Sequence, residues 1–312
     1  MRVILISAWN MRIFTGISNP THHPLLPKTT TLDAITIRFL DQLKRRLLNF
    51  WWLDYHPAEL REWLWLRFTP KKIPPSYPLH AYSWNDKSLF FDGILVISLP
   101  FRHDRRAQVR RQMEPLGLAY SLLEATHGQS LDLEKVLEEG IFTPEALRLL
   151  PKGSLGCALS HIRAWQQMLE KGWQYGLILE DDVILSDTFL EDLRAWMPEV
   201  PPDFDLLYLG SGLTAPSHIR SFVSTHVFVP FYPREGLYAY VVSAQGVRRL
   251  LQHLFPIHLA NGGIDTAIGK LVRKRLIRAY HFLPVLCRAD LETPSNIANP
   301  GGKAKKLDFR EE

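Results

Sequence analysis

Leu177-Ile178-Leu179-Glu180-Asp181-Asp182 joins a short apolar run directly to three consecutive acids. Its three apolar residues do not alternate with polar ones, the pattern of a strand covered on both faces in a parallel sheet. Three carboxylates follow without a gap. They repel one another, and burying them unpaired is costly, so a positive charge is expected to meet them. A divalent cation with an oxygen-preferring shell, Mn²⁺ or Mg²⁺ carrying substrate phosphates, supplies that charge most directly. A solvated acidic loop is the plainer alternative for the tripeptide alone. Position argues against it: ligands of open α/β sheets bind beyond the carboxyl ends of strands, where these acids lie. Asp203-Phe204-Asp205 repeats the acid spacing ahead of the strand Leu206–Leu209, at the opposite edge, and is read as structural.

Outward from this stretch, the texture from Phe91 onward alternates strand and helix, as in a parallel α/β sheet. Ile94–Leu99 and Tyr120–Ala125 read as strands, with a basic helix from Asp104 to about Leu116 between them. Ser154–Lys171 reads as an amphipathic helix, because Leu155, Ala158, Ile162, Trp165 and Leu169 recur at helical spacing. Ser154 is the expected cap at its start and Gly172 at its end. After the acids come a helix capped by Ser186 or Asp187, a strand at Tyr238–Val242, a helix at Gln245–Leu254, and a Gly262-Gly263 hinge before the helix Ile264–Arg275.

Residues 1–90 differ in texture. A Pro/Thr/His-rich stretch precedes an expected helix at Leu32–Leu53 and an aromatic segment holding Trp51, Trp52, Tyr55, Trp63, Trp65 and Phe68. Lys44, Arg45, Arg46, Arg61, Arg67, Lys71 and Lys72 are interleaved with it. That composition suits a helix lying in an anionic membrane interface; the alternative is a helical pair packing its tryptophans on the main domain. The expected organisation is an accessory region at 1–90, the α/β domain at 91–300, and a basic, polar tail at 301–312.

Composition narrows the function classes. The 312 residues carry a formal charge of +5 and only Cys157 and Cys287, so a disulfide framework is excluded and a reducing, cytoplasmic setting is expected. No stretch is apolar enough to span a bilayer, and the N-terminal apolar run is too short for a signal peptide. Mild basicity suits anionic partners such as nucleotide phosphates, lipid headgroups or acidic glycans. No nucleic-acid partner is expected, for lack of a binding motif or a long Lys/Arg stripe.

Two further groups qualify as candidates. Cys157, Ser160 and His161 share one helix face at i, i+3 and i+4, a small polar face that can line a crevice. One Cys and one His fall short of a zinc site, and no cysteine-protease signature surrounds Cys157. Asp265 stands in the first turn of a helix behind a glycine hinge, a place the helix dipole alone would favour for an acid. No P-loop and no Rossmann glycine fingerprint is present.

Taken together these blocks resemble glycosyltransferase family 25. The carriers are Ile94-Leu95-Val96-Ile97-Ser98-Leu99 with Asp104-Arg105-Arg106, Ala125-Thr126-His127-Gly128, Gly156-Cys157-Ala158-Leu159-Ser160-His161, Leu179-Glu180-Asp181-Asp182-Val183, Gly236-Leu237-Tyr238-Ala239-Tyr240 with Gly246, and Ile264-Asp265. The resemblance runs from about Phe91 to Asn299 and implies a GT-A fold, a single nucleotide-binding sheet flanked by helices. It implies inverting transfer of a hexose, most often galactose, from a UDP-sugar to a hydroxyl of an oligosaccharide or lipid-linked glycan such as lipooligosaccharide. On that reading Asp182 ligates Mn²⁺ or Mg²⁺ with Glu180 in support, and Asp265 is the catalytic base. Ser98, Leu99, Arg105, Ala125, Ser160, His161, Asp181 and Tyr240 are the donor-binding set. Ser98, His127, Ser154 and Tyr238 depart from the family's usual Asn, Asp, Glu and His. Two other classes compete: a catalytically silent glycan-binding scaffold, and a metal-dependent nucleotide-sugar phosphohydrolase.

Overall fold

The protein is seen here as a computed structural model that describes residues 57–68, 90–211, 218–233, 236–257 and 263–290. The helix expected at Leu32–Leu53, together with Trp51, Trp52 and Tyr55, lies outside the described residues, as does the 301–312 tail.

An eight-stranded mixed sheet organises the α/β unit. Its strands are β1 (Gly93–Ser98), β2 (Ser121–Glu124), β3 (Tyr175–Glu180), β5 (Leu206–Tyr208), β6 (Ile219–Phe222), β7 (Val227–Pro230), β8 (Ala239–Ser243) and β9 (Ala279–Phe282). They lie in the order β2-β1-β3-β8-β5-β9-β7-β6. A short antiparallel pair, β4 (Val183–Leu185) with β10 (Cys287–Ala289), stands apart. The central strands are apolar on both sides. Leu95, Ile97 and Ile178 face one core, while Ile94, Val96, Leu177 and Leu179 face the other.

Helices cover both faces. On the first core pack α5 (Lys152–Glu170), α7 (Ala244–Leu254) and α8 (Ile264–Arg273), with the short α3 (Leu133–Glu138) and α4 (Pro144–Leu149) beside them. On the second pack α2 (His103–Met113) and α6 (Phe189–Trp196). The result is a three-layer α/β/α arrangement compatible with a GT-A-like fold. Helix α1 (Pro57–Phe68) is tied to the unit by ion pairs, Glu59 to Arg273 and Glu62 to Arg220 and Arg275.

Three expectations need correction. The sheet is not wholly parallel: β8 runs antiparallel to both β3 and β5, because the chain leaves β5, makes the β6–β7 hairpin and re-enters from the same edge. Helix α5 begins at Lys152 behind Pro151, so Ser154 is inside the first turn and is not its cap; Gly172, at φ +70°, does end it. Helix α6 follows Thr188 instead of Ser186 or Asp187, because Val183–Leu185 is drawn into strand β4.

The strand order positions the site. From β1 the chain moves to one side for β2 and then returns to the other side for β3. That reversal opens a crevice at the carboxyl ends of β1, β2 and β3. The opposite edge is tied shut. Asp205, fully buried, accepts two hydrogen bonds from Arg249 (2.8 and 3.1 Å) and one from the Arg278 amide (2.8 Å), while the more exposed Asp203 pairs with Arg278. Asp205→Ala is therefore expected to cost roughly 2–3 kcal/mol by stranding charged donors, and Asp203→Asn under about 0.5 kcal/mol. Urea denaturation of both variants checks this; equal losses would contradict the edge assignment.

Candidate functional site

The crevice is lined by Ile97, Ser98 and Leu99 from the end of β1, Arg105 from α2, Ala125–Gly128 after β2, Gly153, Cys157, Ser160 and His161 from α5, and Glu180, Asp181 and Asp182 from the end of β3. Close backbone approach makes this possible. A Cβ on Gly156 would overlap the Thr126 carbonyl oxygen, and one on Gly128 would overlap that of Lys152. Ser160 closes the same contact: its Oγ accepts from the Thr126 amide (2.8 Å) and donates to the Gly156 carbonyl (2.7 Å).

Arg105 meets the acids. Its buried guanidinium donates through one nitrogen to Asp181 Oδ1 (2.9 Å) and Asp182 Oδ2 (3.1 Å). Arg105 bonds two of the three carboxylates and Arg102 adds its charge nearby, which leaves the cluster net negative. Burial and the neighbouring Glu180 charge push the Asp182 carboxyl up to about 7, against the opposing pull of Arg105. Asp182 Oδ1 is buried and takes no hydrogen bond from the described residues. Hard carboxylate oxygens, one of them unpartnered, fit a divalent cation of the Mg²⁺ or Mn²⁺ kind. The acid turn is braced from outside. Gln112 bonds the Val183 carbonyl (2.9 Å) and the Leu185 amide (2.8 Å), and the Asp290 amide bonds the Asp182 carbonyl (2.6 Å).

Glu180 is held separately. Its Oε1 lies 3.0 Å from His161 Nε2 and 4.0 Å from Cys157 Sγ. His161 Nδ1 lies 3.0 Å from the Tyr240 hydroxyl, which also accepts from Trp165 Nε1 (2.9 Å). Ligand atoms of Cys157, His161 and Glu180 fall within 4.8 Å of one another, a grouping wider than the Cys–His pair visible in sequence. The thiol is pushed well above its ordinary range by burial and then by the charges of Glu180, Asp265 and Asp182.

The expected donor-binding residues thus divide. Ser98, Leu99 and Ala125 line the crevice, with the Ser98 hydroxyl accepting from Arg106 Nε (3.1 Å). Arg105 and Asp181 spend their charge on each other, and the hydroxyl of Ser160 is committed to backbone. Both nitrogens of His161 point to Tyr240 and Glu180. Tyr240 is fully buried and does not line the crevice, because β8 turns it into the core beneath α5. Arg105, Asp181, Ser160 and His161 line the crevice as well, with these side-chain groups already paired within the protein. Asp265 opens α8 outside the lining, close enough for its charge to act on Cys157 and Tyr208. Gln112 carries no signal in the sequence, and Trp165 shows there only as an apolar position of α5, since each works through a partner more than seventy residues along the chain.

The family model described as "Glycosyltransferase family 25 (LPS biosynthesis protein)" matches residues 91–264. The chain belongs to glycosyltransferase family 25. Procollagen galactosyltransferase 1 of Danio rerio is 30% identical over 190 residues, 58% of this chain and 32% of that protein. A Rattus norvegicus protein named "Probable inactive glycosyltransferase 25 family member 3" is 30% identical over 205 residues, 63% of this chain and 33% of that one. The chain thus spans about a third of the length of these relatives. A solved structure titled "Crystal Structure of A197 from STIV" superposes with a TM-score of 0.36 and 12% identity, over 63% of this chain and 82% of that one.

The acid cluster sets a pH dependence. A carboxyl whose value rises from 3.8 unfolded to about 7 folded binds more protons in the folded state, so stability falls as pH rises through that window. Asp182→Asn removes the loss. In EDTA the variant is expected to unfold at a higher temperature than the parent at pH 8, with the gap narrowing towards pH 4. A gap that widens on acidification would contradict the direction of the shift.

Proposed function

We propose that this chain is an inverting hexosyltransferase that moves galactose from a UDP-sugar to a hydroxyl of a cell-surface glycan of the lipooligosaccharide kind. Membership of family 25 and the galactosyltransferase names of its relatives support the reaction class. The observation that carries the site assignment is the unpartnered, buried Asp182 Oδ1 in a net-negative cluster at the sheet's switch point.

Asp182 and Glu180 would hold a divalent cation, Mn²⁺ or Mg²⁺. When bound, such an ion neutralises the charge that develops on a departing diphosphate. The other steps belong to the chain. Ser98, Leu99 and Ala125 border the space for the nucleotide, and Arg105 keeps Asp181 and Asp182 fixed so that the acids do not spread apart on binding. Asp265 takes the proton from the acceptor hydroxyl as its oxygen attacks the anomeric carbon from the face opposite the leaving diphosphate. A silent family member is the second reading, favoured by the "inactive" name of the rat relative.

Turnover of UDP-galactose with and without glycan acceptors separates these readings. Asp182→Asn is expected to abolish transfer, and Asp265→Asn to slow it about 10²–10⁴-fold with UDP affinity unchanged. Full activity in excess EDTA would remove the metal. Donor cleavage at one rate regardless of acceptor would make the protein a phosphohydrolase, and no turnover of any UDP-sugar would favour the silent reading.

The acceptor class leads to a second proposal, that residues 32–72 dock on an anionic membrane surface near a lipid-linked acceptor. Among the described residues no helix is long and apolar enough to cross a membrane. On α1, Trp65 is 54% and Leu64 40% exposed, which suits an interfacial contact. Co-sedimentation with phosphatidylserine vesicles is expected to weaken as salt rises. Equal, negligible binding by the full chain and by a chain starting near Phe91 would end the idea.

A further inference from the structure

Cys157, His161 and Trp165 stand at i, i+4 and i+8 on one face of α5, turned toward the end of β3 and the middle of β8. The contacts along that face have a direction. An indole N–H can only donate a hydrogen bond, so Trp165 Nε1–H donates to the Tyr240 oxygen (2.9 Å). The Tyr240 O–H then donates to His161 Nδ1 (3.0 Å), and His161 Nε2–H donates to Glu180 Oε1 (3.0 Å). With neutral imidazole and ionised carboxylate, this arrangement gives every buried donor an acceptor. The opposite tautomer would set a nitrogen lone pair against a carboxylate and leave the Tyr240 proton without an acceptor. Trp165, His161 and Tyr240 are all fully buried, so water does not substitute for a lost partner.

We infer that Trp165, Tyr240 and His161 form a positioning relay that fixes Glu180 through its Oε1 and keeps Oε2 turned to the crevice. Oε1 carries the histidine contact and the nearby Cys157 thiol, whereas Oε2 takes no hydrogen bond from the described residues. The relay tautomer also presents an N–H to the crevice side of the histidine, so His161 is a donor to the ligand and is not itself a ligand. The relay links a core aromatic to an acid at the crevice through the Tyr240 hydroxyl and the His161 ring. The inference rests on the reading of Glu180 as a cation ligand.

Mn²⁺ binding in the presence of UDP, followed by the loss of the free aquo-ion's paramagnetic resonance signal, tests it. Tyr240→Phe keeps the ring and deletes both hydrogen bonds. It is expected to weaken Mn²⁺ about 10- to 100-fold, the usual effect of losing an outer partner of a ligand. His161→Ala should do the same, and His161→Gln, whose amide places an N–H near that of the imidazole, should recover part of the loss. Trp165→Phe serves if Tyr240→Phe does not fold, with a smaller loss expected. Glu180→Gln is the reference. If it weakens Mn²⁺ while folded Tyr240→Phe, or Trp165→Phe in its place, binds like the parent, the relay is overturned and the ligand reading survives. If Glu180→Gln itself leaves Mn²⁺ affinity unchanged, the ligand reading falls and the inference falls with it.

Discussion

A single guanidinium set against three adjacent carboxylates governs the architecture of the crevice. Arg105 reaches from α2 on one face of the sheet to the turn after β3, and its nitrogen bridges Asp181 and Asp182. Removing both partners from water is costly, and a buried ion pair of this kind adds little net stability. Its effect is on geometry, since it holds two acids that would otherwise separate. The compensation is incomplete: Arg105 bonds two of the three acids and Arg102 adds its charge nearby, yet the proton affinity of Asp182 stays raised. Asp182 shows the consequence in its raised proton affinity and its unpartnered oxygen.

Everything around the acids resists their spreading. The turn is clamped from the β10 side by the Asp290 amide and from α2 by the Gln112 side chain, which acts as a neighbour for the edge of β4. Helix α5 is drawn onto the loop after β2 by glycines at two backbone contacts and by the Ser160 hydroxyl. The small residues of Gly156–His161 thus serve first to bring a helix close to a sheet edge and then to present His161 to Glu180. A polar helix face near a ligand crevice need not touch the ligand to matter for it.

Strands are legible in the sequence where burial alone dictates the pattern. Leu177–Leu179 is apolar throughout because both sides face core, and Ile94–Leu99 follows the same rule. Helix α5 was legible because its apolar residues recur with the helical period, and its glycine stop because a left-handed residue must follow it. Short elements were not: β4 and β10 have three residues each, too few for a period, and exist because they pair with each other. Asp203 and Asp205 differ from Glu180–Asp182 along the chain in their side of the strand, and at that edge arginines pair with them.

Three features stand in the chain itself: an apolar strand that ends in three acids, a small-residue helix face ahead of it, and blocks that resemble one enzyme family. These are local properties, carried by period, charge and order along the chain. Tertiary structure alone decided that β8 runs antiparallel through the middle of the sheet, that Arg105 serves the acids, and that Tyr240 turns inward to hold His161. Each of those depends on groups separated by tens of residues, whose meeting is set by strand order and core packing. No local pattern encodes such a meeting, because the same residues would read identically beside any other partner.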